Sequence, residues 1–243
     1  MVGSSVGHTN TPPQGKELTW RQVAAFAVAA LIMPAALFAA AGHLDWPAAW
    51  AYTAVTMAAV VGSRLIVALK HPDLLAERGR FAQLPDAKAW DRKLMPIVGL
   101  AGPLATLVVA GLDERFGWSP DLSISTQVGG LIAVALGSLL SVWAMAVNRF
   151  YSAVVRIQTD RGHSVVSTGP YRFVRHPSYT GGIVAYVGAC LLLDSLWALV
   201  PTTILAVVLV ARTALEDRTL REELAGYEKY ASRVRYRLLP GIW

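Results

Sequence analysis

Residues 178–211 form the apolar stretch SYTGGIVAYVGACLLLDSLWALVPTTILAVVLVA, in which Asp194 is the one charged residue. As a single helix this stretch would extend roughly 50 Å at 1.5 Å per residue. The hydrocarbon core of a bilayer is only about 30 Å thick. We therefore predict a helical hairpin that turns at Asp194 and Ser195, and whose two short arms cross the membrane.

Four further apolar stretches precede this hairpin, and each approaches or exceeds the ~20 residues that one membrane span needs. They are Val23–Gly42, Pro47–Ser63 with its continuation to Leu69, Leu94–Leu112 and Leu122–Asn148. The chain of 243 residues is 54% hydrophobic and only 16% charged, whereas a soluble domain usually carries about 25% charged residues. The sequence thus predicts an all-α, polytopic membrane helix bundle of about six spans.

The lysines and arginines lie mainly on one side of this predicted topology. Six occur in the loop at 70–93, five in the loop at 149–175 and seven in the tail from Arg212, whereas the opposite connections contain only Arg115. This asymmetry is the positive-inside pattern. It places both termini and both long loops in the cytoplasm, at the inner membrane if the source is bacterial. The net charge of +6 is then explained by topology, and no nucleic-acid partner is expected.

The chain divides into three regions on this interpretation. Residues 1–20 are predicted to be a disordered tail, 21–148 a four-span membrane region, and 149–243 a region that holds the chemistry. The apolar run at 23–41 exceeds the ~7–15 residues of a signal-peptide core, so we expect a retained anchor. The single Cys190 excludes an internal disulfide, and no Cys/His cluster predicts a metal site.

Sequence detail concentrates in the loop before the hairpin, where residues 161–182 read RGHSVVSTGPYRFVRHPSYTGG. Pro177 suits the first turn of a helix, because its missing N–H would have no partner there. The positive end of that helix suits an anionic group. Alternatively, Arg172 and Arg175 mark the cytoplasmic end of a span while His176 caps the helix. Gly181 and Gly182 favour either close helix packing or the approach of a ligand to the backbone.

The C-terminal tail supplies a second set of residues. Helical spacing places one face along Glu216, Leu220, Glu223, Leu224 and Tyr227. Asp217 precedes Arg221 by four residues, which predicts a solvated ion pair. Glu216 has Leu220 at that spacing, and a buried carboxylate requires a partner. We expect that partner to be an arginine of the loop or a ligand.

Aromatic and basic residues of the tail have simpler interpretations. We interpret Tyr227, Tyr230 and Trp243 as aromatics of the membrane interface. Arg233, Arg235 and Arg237 could orient an anionic substrate or meet anionic lipid headgroups, and we favour the headgroups for at least two of the three.

These residues together resemble the isoprenylcysteine carboxyl methyltransferase family, to which the phosphatidylethanolamine N-methyltransferases are related. The resemblance rests on three motifs spread over Arg161–Trp243: the loop motif from Gly169-Pro170-Tyr171 through Arg175-His176-Pro177 to Tyr179 and Gly181, the acidic pair Glu216-Asp217, and Tyr227-x-x-Tyr230 with Leu239-Pro240-Gly241. The family usually shows two glutamates, so Asp217 departs from its pattern. The first four spans match only as generic membrane helices.

The resemblance implies an integral membrane enzyme that uses S-adenosylmethionine, with a cytoplasmic pocket formed by the loop before span five and the C-terminal helix. The residues it places in the cofactor pocket are Val165, Gly169, Tyr171, Arg175, His176, Pro177, Tyr179, Gly181 and Glu216. Arg175, Glu216 and Glu223 are the candidates for catalysis, with Glu216 or Glu223 as the base for an amine acceptor. A lipophilic substrate would enter from the bilayer, among the membrane lipids.

Two other interpretations remain. A sterol-type membrane reductase would share a His-Pro/Tyr/Gly stretch but use NADPH. A non-catalytic scaffold or small-solute carrier predicts ionisable residues at mid-bilayer depth, and the sequence offers almost none apart from Arg64. The identity of the methyl acceptor and the oligomeric state cannot be read from the sequence.

Overall fold

The computed structural model describes residues 20–74 and 86–243, with the backbone alone for 20–29. Regular structure within these ranges is helical, as expected for an all-α bundle. The main helices are α1 (Trp20–Ala41), α2 (Pro47–Lys70), α3 (Ala89–Phe116), α4 (Ile124–Val147), α5 (Pro177–Leu192), α6 (Leu199–Glu223) and the short α7 (Tyr227–Arg233). Residues 1–19 of the predicted disordered tail lie outside the described residues, and Trp20 already begins α1.

Four of these helices, α2, α3, α4 and α6, are long and apolar enough to cross a membrane, whereas α5 and the apolar part of α1, Ala30–Ala41, are shorter. Large apolar side chains cover their outer faces: Leu65, Leu136 and Ile204 are 59%, 59% and 61% exposed. Such faces would be costly in water and fit a lipid environment. The chain is therefore an integral membrane protein, and the count of six spans stays a prediction.

Local sequence signals account for several helix boundaries. Pro47 and Pro177 each occupy the first turn of a helix, where a missing N–H is harmless. The side chain of Ser123 caps α4 by accepting a hydrogen bond from the Thr126 backbone N–H at 3.3 Å. The third span begins five residues earlier than predicted, because α3 starts at Ala89 and includes charged residues before its apolar part.

Helices α4 and α5 approach each other so closely that only glycine fits at two pairs of contact positions. A Cβ atom added at Gly137 would lie 2.4 Å from the carbonyl oxygen of Gly181, and one at Gly181 equally close to the carbonyl of Gly137. Gly130 and Gly188 meet in the same way further along the helices. Small residues let helix backbones approach closely inside a membrane. This glycine seam therefore fixes α5 against α4.

The predicted hairpin at Asp194 and Ser195 is confirmed, since α5 ends at Leu192 and α6 begins at Leu199. Asp194 adopts a positive φ of 58° and its Oδ1 accepts a hydrogen bond from the Leu122 backbone N–H at 2.7 Å. Ser195 Oγ donates to Asp113 Oδ2 at 2.5 Å. The α5–α6 turn is thereby tied to the α3–α4 turn, at the end of the bundle opposite the long loops.

The tail differs from the continuous helix that was predicted. Helix α6 ends at Glu223, Gly226 adopts a positive φ of 83°, and α7 begins at Tyr227. The chain then folds back to the loop before α5, where the backbone N–H groups of Arg175 and His176 donate to the carbonyls of Tyr236 and Arg237, both at 2.9 Å. The C-terminal segment thus accepts the hydrogen bonds of two backbone N–H groups at the start of α5.

Candidate functional site

A cavity of about 390 Å³ opens at the end of the bundle that carries the two long loops. Its volume lies within the ~300–1,000 Å³ typical of small-molecule sites. Residues from α3, α4, α5, α6 and α7 line it, together with the loop between α4 and α5. The wall is apolar near Met95, Val98 and Leu209 and polar near Glu216 and His176. One end of a ligand here would meet charge and the other hydrocarbon.

Glu216 is the end of a partly buried hydrogen-bond chain. Its Oε2 accepts from the Tyr179 hydroxyl at 2.6 Å, and the same hydroxyl accepts from Nη1 of Arg212 at 2.7 Å. Asp91 then binds Arg212 through two contacts, at 2.7 Å to Nε and 3.2 Å to Nη2. The Oε1 atom of Glu216 accepts no hydrogen bond within the described parts of the chain. Glu216 is thereby held in place with one oxygen available to a ligand.

Asp217, the next residue, lies in a different network. It is fully buried, and three arginines surround its carboxylate: Nε of Arg175 at 2.8 Å, Nε of Arg237 at 2.9 Å and Nε of Arg221 at 3.3 Å. The Tyr227 hydroxyl donates to Oδ1 at 2.9 Å. The predicted Asp217–Arg221 pair exists, but its description as solvated is wrong, because Asp217 joins α6 to the loop and to the C-terminal segment.

His176 lies between these two networks. Its Nε2 atom is buried without a hydrogen-bond partner among the described residues, 3.6 Å from Asp217 Oδ1. Its ring stacks on Tyr179 with centroids 5.8 Å apart. An unpartnered buried imidazole nitrogen is costly unless a ligand or water completes it. His176 therefore lines the cavity, while its Nε2 atom lies beside Asp217.

Two tyrosines expected at the membrane interface are buried instead. Tyr227 and Tyr230 are 4% and 3% exposed, and the Tyr230 hydroxyl donates to the carbonyl of Tyr171 at 2.7 Å. Burial raises the pKa of the Tyr171 hydroxyl, so this group stays protonated. The interfacial interpretation of Tyr227 and Tyr230 is wrong, because both pack against the loop and complete the cavity wall.

The structure brings most of the predicted site residues to the cavity. Those that line it are Val165, Tyr171, Arg175, His176, Tyr179 and Glu216. Arg175 also donates to the carbonyls of Ala231 and Val234 at 3.3 and 3.1 Å. With its Nε on Asp217, its guanidinium is therefore engaged by the protein itself.

Four predicted residues do not line the cavity. Gly169 has a positive φ of 56° and packs against Trp143 and Val147 of α4, Pro177 begins α5, and Gly181 belongs to the glycine seam. Gly182 lines the cavity in its place. Glu223 is exposed and binds Nζ of Lys88 at 2.6 Å. Because Glu223 is exposed and does not line the cavity, we do not retain it as a catalytic candidate.

The sequence did not identify Asp91 and Arg212 as members of the site. The sequence places Asp91 in a basic loop and Arg212 at the start of the tail. Arg212 precedes Glu216 by four residues on α6, so their shared helix face was a readable signal. Asp91 lies 121 residues from Arg212, and no spacing rule could have paired them.

No group of three or more His, Cys, Asp or Glu side chains suited to a metal ion occurs in the described part of the chain. The polar groups available at the cavity are instead a carboxylate, an imidazole and tyrosine hydroxyls. These groups suit an organic ligand with positive charge and hydrogen-bonding groups.

The fold is that of an integral membrane helix bundle with a cavity at one end. Residues 125–225 match the sequence profile of the family described as phospholipid methyltransferase. This match includes α4, which the sequence motifs left as a generic span, and ends before the C-terminal segment. Over these residues, which are fewer than half of the chain, the protein is similar to this family of methyltransferases.

Two curated relatives are similar to part of this chain. A probable protein-S-isoprenylcysteine O-methyltransferase of Oryza sativa subsp. indica is 31% identical over 108 residues, which cover 43% of this chain and 56% of the relative. Protein-S-isoprenylcysteine O-methyltransferase B of Arabidopsis thaliana is 28% identical over 108 residues, covering 43% and 55%. The chain thus spans about half the length of the curated relatives it matches.

Proposed function

We propose that this protein is a membrane methyltransferase that transfers a methyl group from S-adenosylmethionine to a lipophilic acceptor. The observation that carries the proposal is the position of Glu216, Tyr179 and His176 around one cavity, inside the region of the family match. The acceptor classes considered are the carboxyl group of a prenylcysteine-like compound and another lipid or small hydrophobic molecule. We further propose that the cavity end of the bundle faces the cytoplasm.

The residues of the cavity fit the methyl donor. S-adenosylmethionine would supply an activated methyl group on a positively charged sulfur. Oε1 of Glu216 would accept hydrogen bonds from its polar groups, and the ring of His176 would form part of the wall around it. Tyr171 and Val165 would provide the partly apolar wall on the loop side.

The contribution of the protein to the rate would be mainly positioning. Methyl transfer needs the attacking atom, the methyl carbon and the sulfur in line, and holding two reactants in this geometry can supply much of the acceleration. The hydrogen-bond chain from Asp91 through Arg212 to Tyr179 fixes the Glu216 carboxylate before any ligand binds. The apolar wall at Met95, Val98 and Leu209 would exclude water from the acceptor end.

A labelled-methyl transfer assay tests the proposal. Purified full-length protein in detergent is incubated with S-adenosylmethionine carrying a radiolabelled methyl group and with membrane lipids or prenylcysteine analogues. We expect label in the lipophilic fraction, reduced at least tenfold by Glu216→Gln and by His176→Ala. The matched control is Glu222→Gln, because Glu222 is an exposed carboxylate of the same helix whose partner is Arg218. Transfer unaffected by both site substitutions would refute the assignment.

The same preparation separates the alternative functions. A sterol-type reductase would oxidise NADPH in the presence of an unsaturated lipid and transfer no label. A scaffold or carrier would do neither.

A further inference from the structure

The C-terminal segment, residues 233–243, lies beside the start of α5. The carbonyls of Tyr236 and Arg237 accept hydrogen bonds, both at 2.9 Å, from two backbone N–H groups just before that helix. The hydroxyl of Thr180, in the first turn of α5, donates to the carbonyl of Leu238 at 2.8 Å. The segment is therefore held at the depth where the apolar part of α5 begins.

The outer side of this region carries large apolar side chains. Phe173, in the loop just before α5, is 61% exposed, and Leu239 and Ile242 of the C-terminal segment are 45% and 78% exposed. The Ile242 backbone N–H donates to the carbonyl of Leu239 at 3.1 Å, so these two residues lie in one turn. A group of exposed apolar side chains is costly in water and is typical of a contact surface.

Basic side chains accompany these apolar residues. Arg172, Arg233 and Arg235 are all exposed. In the described part of the chain none of the three forms an ion pair with a carboxylate, and Nε of Arg233 donates only to the carbonyl of Lys229, at 3.4 Å. Segments that lie on a membrane combine apolar residues with lysine or arginine in this way. Basic residues next to a membrane span are attracted to anionic lipids.

We propose that this region binds anionic phospholipid headgroups, and that this binding strengthens the wall of the cavity and raises the affinity for the methyl donor. The arginines would contact the headgroup phosphates while the apolar side chains enter the layer beneath. The claim about the methyl donor rests on the proposed function. We call the region the lipid-docking surface, and its members are Arg172, Phe173, Arg233, Arg235, Leu239 and Ile242.

The C-terminal segment connects the lipid-docking surface to the cavity. Nε of Arg237 binds Asp217 Oδ2 at 2.9 Å. The residues whose backbone N–H groups bind the segment are Arg175 and His176, and both line the cavity. If the segment detached, these N–H groups and Asp217 would each lose a partner. A lipid that binds only the attached segment favours that arrangement, and by linkage it favours any ligand that needs the intact wall.

Hydrogen exchange measures the docking without any methyl donor. Full-length protein is placed in nanodiscs of phosphatidylcholine alone, or of phosphatidylcholine and phosphatidylglycerol in equal parts. We expect the anionic lipid to slow amide exchange in residues 234–243 by about fivefold or more, because local opening of the segment is opposed by the lipid contacts. Equal exchange in the two bilayers overturns the inference.

A triple variant shows whether the arginines of the lipid-docking surface carry this response. Arg172→Gln/Arg233→Gln/Arg235→Gln should exchange equally in both bilayers. The matched control is Lys70→Gln/Lys93→Gln/Arg218→Gln, which removes three exposed positive charges from other helices and should respond like the wild type. If the triple variant does not fold, Arg235→Glu replaces it. A wild-type response in the variant that folds overturns the inference.

Calorimetric titration with S-adenosylhomocysteine in the same nanodiscs tests the connection to the cavity. The wild type and the control should bind it about fivefold more tightly in the anionic bilayer, whereas the triple variant should bind it equally in both. Slower exchange without a gain in affinity refutes the proposed connection. A segment that responds to the lipid, in a protein that binds no S-adenosylhomocysteine in either bilayer, supports the lipid-docking surface and refutes the proposed function.

Two soluble anions identify the partner. Inorganic phosphate and polyglutamate are added separately to the phosphatidylcholine nanodiscs, and neither should slow exchange in residues 234–243. Slowing by phosphate as large as that by phosphatidylglycerol would indicate a site for free anions. Slowing by polyglutamate alone would indicate an acidic protein as the partner. Either result overturns the assignment to a lipid surface.

Discussion

Glu216 and Asp217 are consecutive residues of α6, yet their carboxylates belong to separate networks. Glu216 accepts from Tyr179 and lines the cavity, whereas Asp217 is fully buried among Arg175, Arg221 and Arg237. A helix turns about 100° per residue, so neighbouring side chains leave it in different directions. We therefore expect substitution of Glu216 to impair function and substitution of Asp217 to impair stability.

Asp217→Asn should destabilise the protein strongly. It removes the charge that compensates three arginines, and breaking a buried ion pair by removing one partner typically costs about 3–5 kcal/mol. Thermal unfolding in detergent measures the loss, with Glu222→Gln as the control at an exposed ion pair. A melting temperature equal to that of the control would contradict the role assigned to Asp217.

Tyr179→Phe should reduce methyl transfer by about one to two orders of magnitude while the fold persists. The substitution keeps the ring that stacks on His176 but removes the hydroxyl that joins Arg212 to Glu216. Loss of a buried hydrogen-bond partner costs about 1–3 kcal/mol, which corresponds to that range of rates if Glu216 becomes misplaced. Single-turnover transfer rates measure the effect. Wild-type rates in this variant would show that the hydrogen-bond chain does not position Glu216.

Glu223→Gln should leave transfer within about twofold of the wild type. Glu223 is exposed, and the side chain of its partner Lys88 is 29% exposed. The loss should be small because surface ion pairs contribute only about 0–1 kcal/mol. The same transfer assay provides the measurement. A loss as large as that of Glu216→Gln would restore Glu223 as a catalytic candidate, as the sequence first suggested.

The glycine seam between α4 and α5 predicts a sharp contrast between neighbouring residues. Gly181→Ala would place a Cβ atom 2.4 Å from the carbonyl oxygen of Gly137, whereas Gly182→Ala meets nothing closer than 3.9 Å, at Tyr186. Forced expansion of a packed contact typically costs about 1–3 kcal/mol. We expect a clear drop in melting temperature for Gly181→Ala and a small change for Gly182→Ala. Equal melting temperatures would exclude the close packing.

His163 should make stability depend on pH. Burial, together with Arg156 and Arg161, lowers the pKa of His163 to about 4 from its ordinary 6.5. His163 therefore takes up a proton more readily in the unfolded chain than in the folded protein. The neutral His163 stabilises the fold fully above pH 6.5, and this stabilisation is lost as the pH falls towards 4. Because the side chain is only half-buried, we expect a loss of about 1–2 kcal/mol.

The measurement for His163 is a difference between two proteins. Thermal unfolding of the wild type and of His163→Gln is followed from pH 7 to pH 4.5, where other carboxylates also titrate. The wild type should lose more stability than the variant over this window. Parallel curves for the two proteins would show that His163 contributes no pH dependence.

Much of the fold could be predicted, because a membrane imposes simple rules. A charge-poor stretch longer than one span requires a turn, and Asp194 was the polar residue available to form it. The need of Glu216 for a polar partner followed from its place on an apolar face. These inferences use only local sequence and the cost of burying charge.

The remainder depended on contacts that local sequence does not specify. Arg221 lies four residues after Asp217, which is the spacing of a surface ion pair. The pair is buried only because the C-terminal segment folds back over it. Tyr227 and Tyr230 lie in a basic tail, where interfacial and buried tyrosines have the same sequence pattern. Asp91 reaches Arg212 only because α3 and α6 pack together.

The most direct test of the proposed function is a calorimetric titration of S-adenosylhomocysteine into the purified protein in detergent, with NADPH as the competing candidate. We predict saturable binding of S-adenosylhomocysteine at one site per chain, weakened at least tenfold by Glu216→Gln and unchanged by Glu222→Gln. Binding of NADPH in its place, or no binding of either compound by a folded protein, would contradict the proposed methyltransferase.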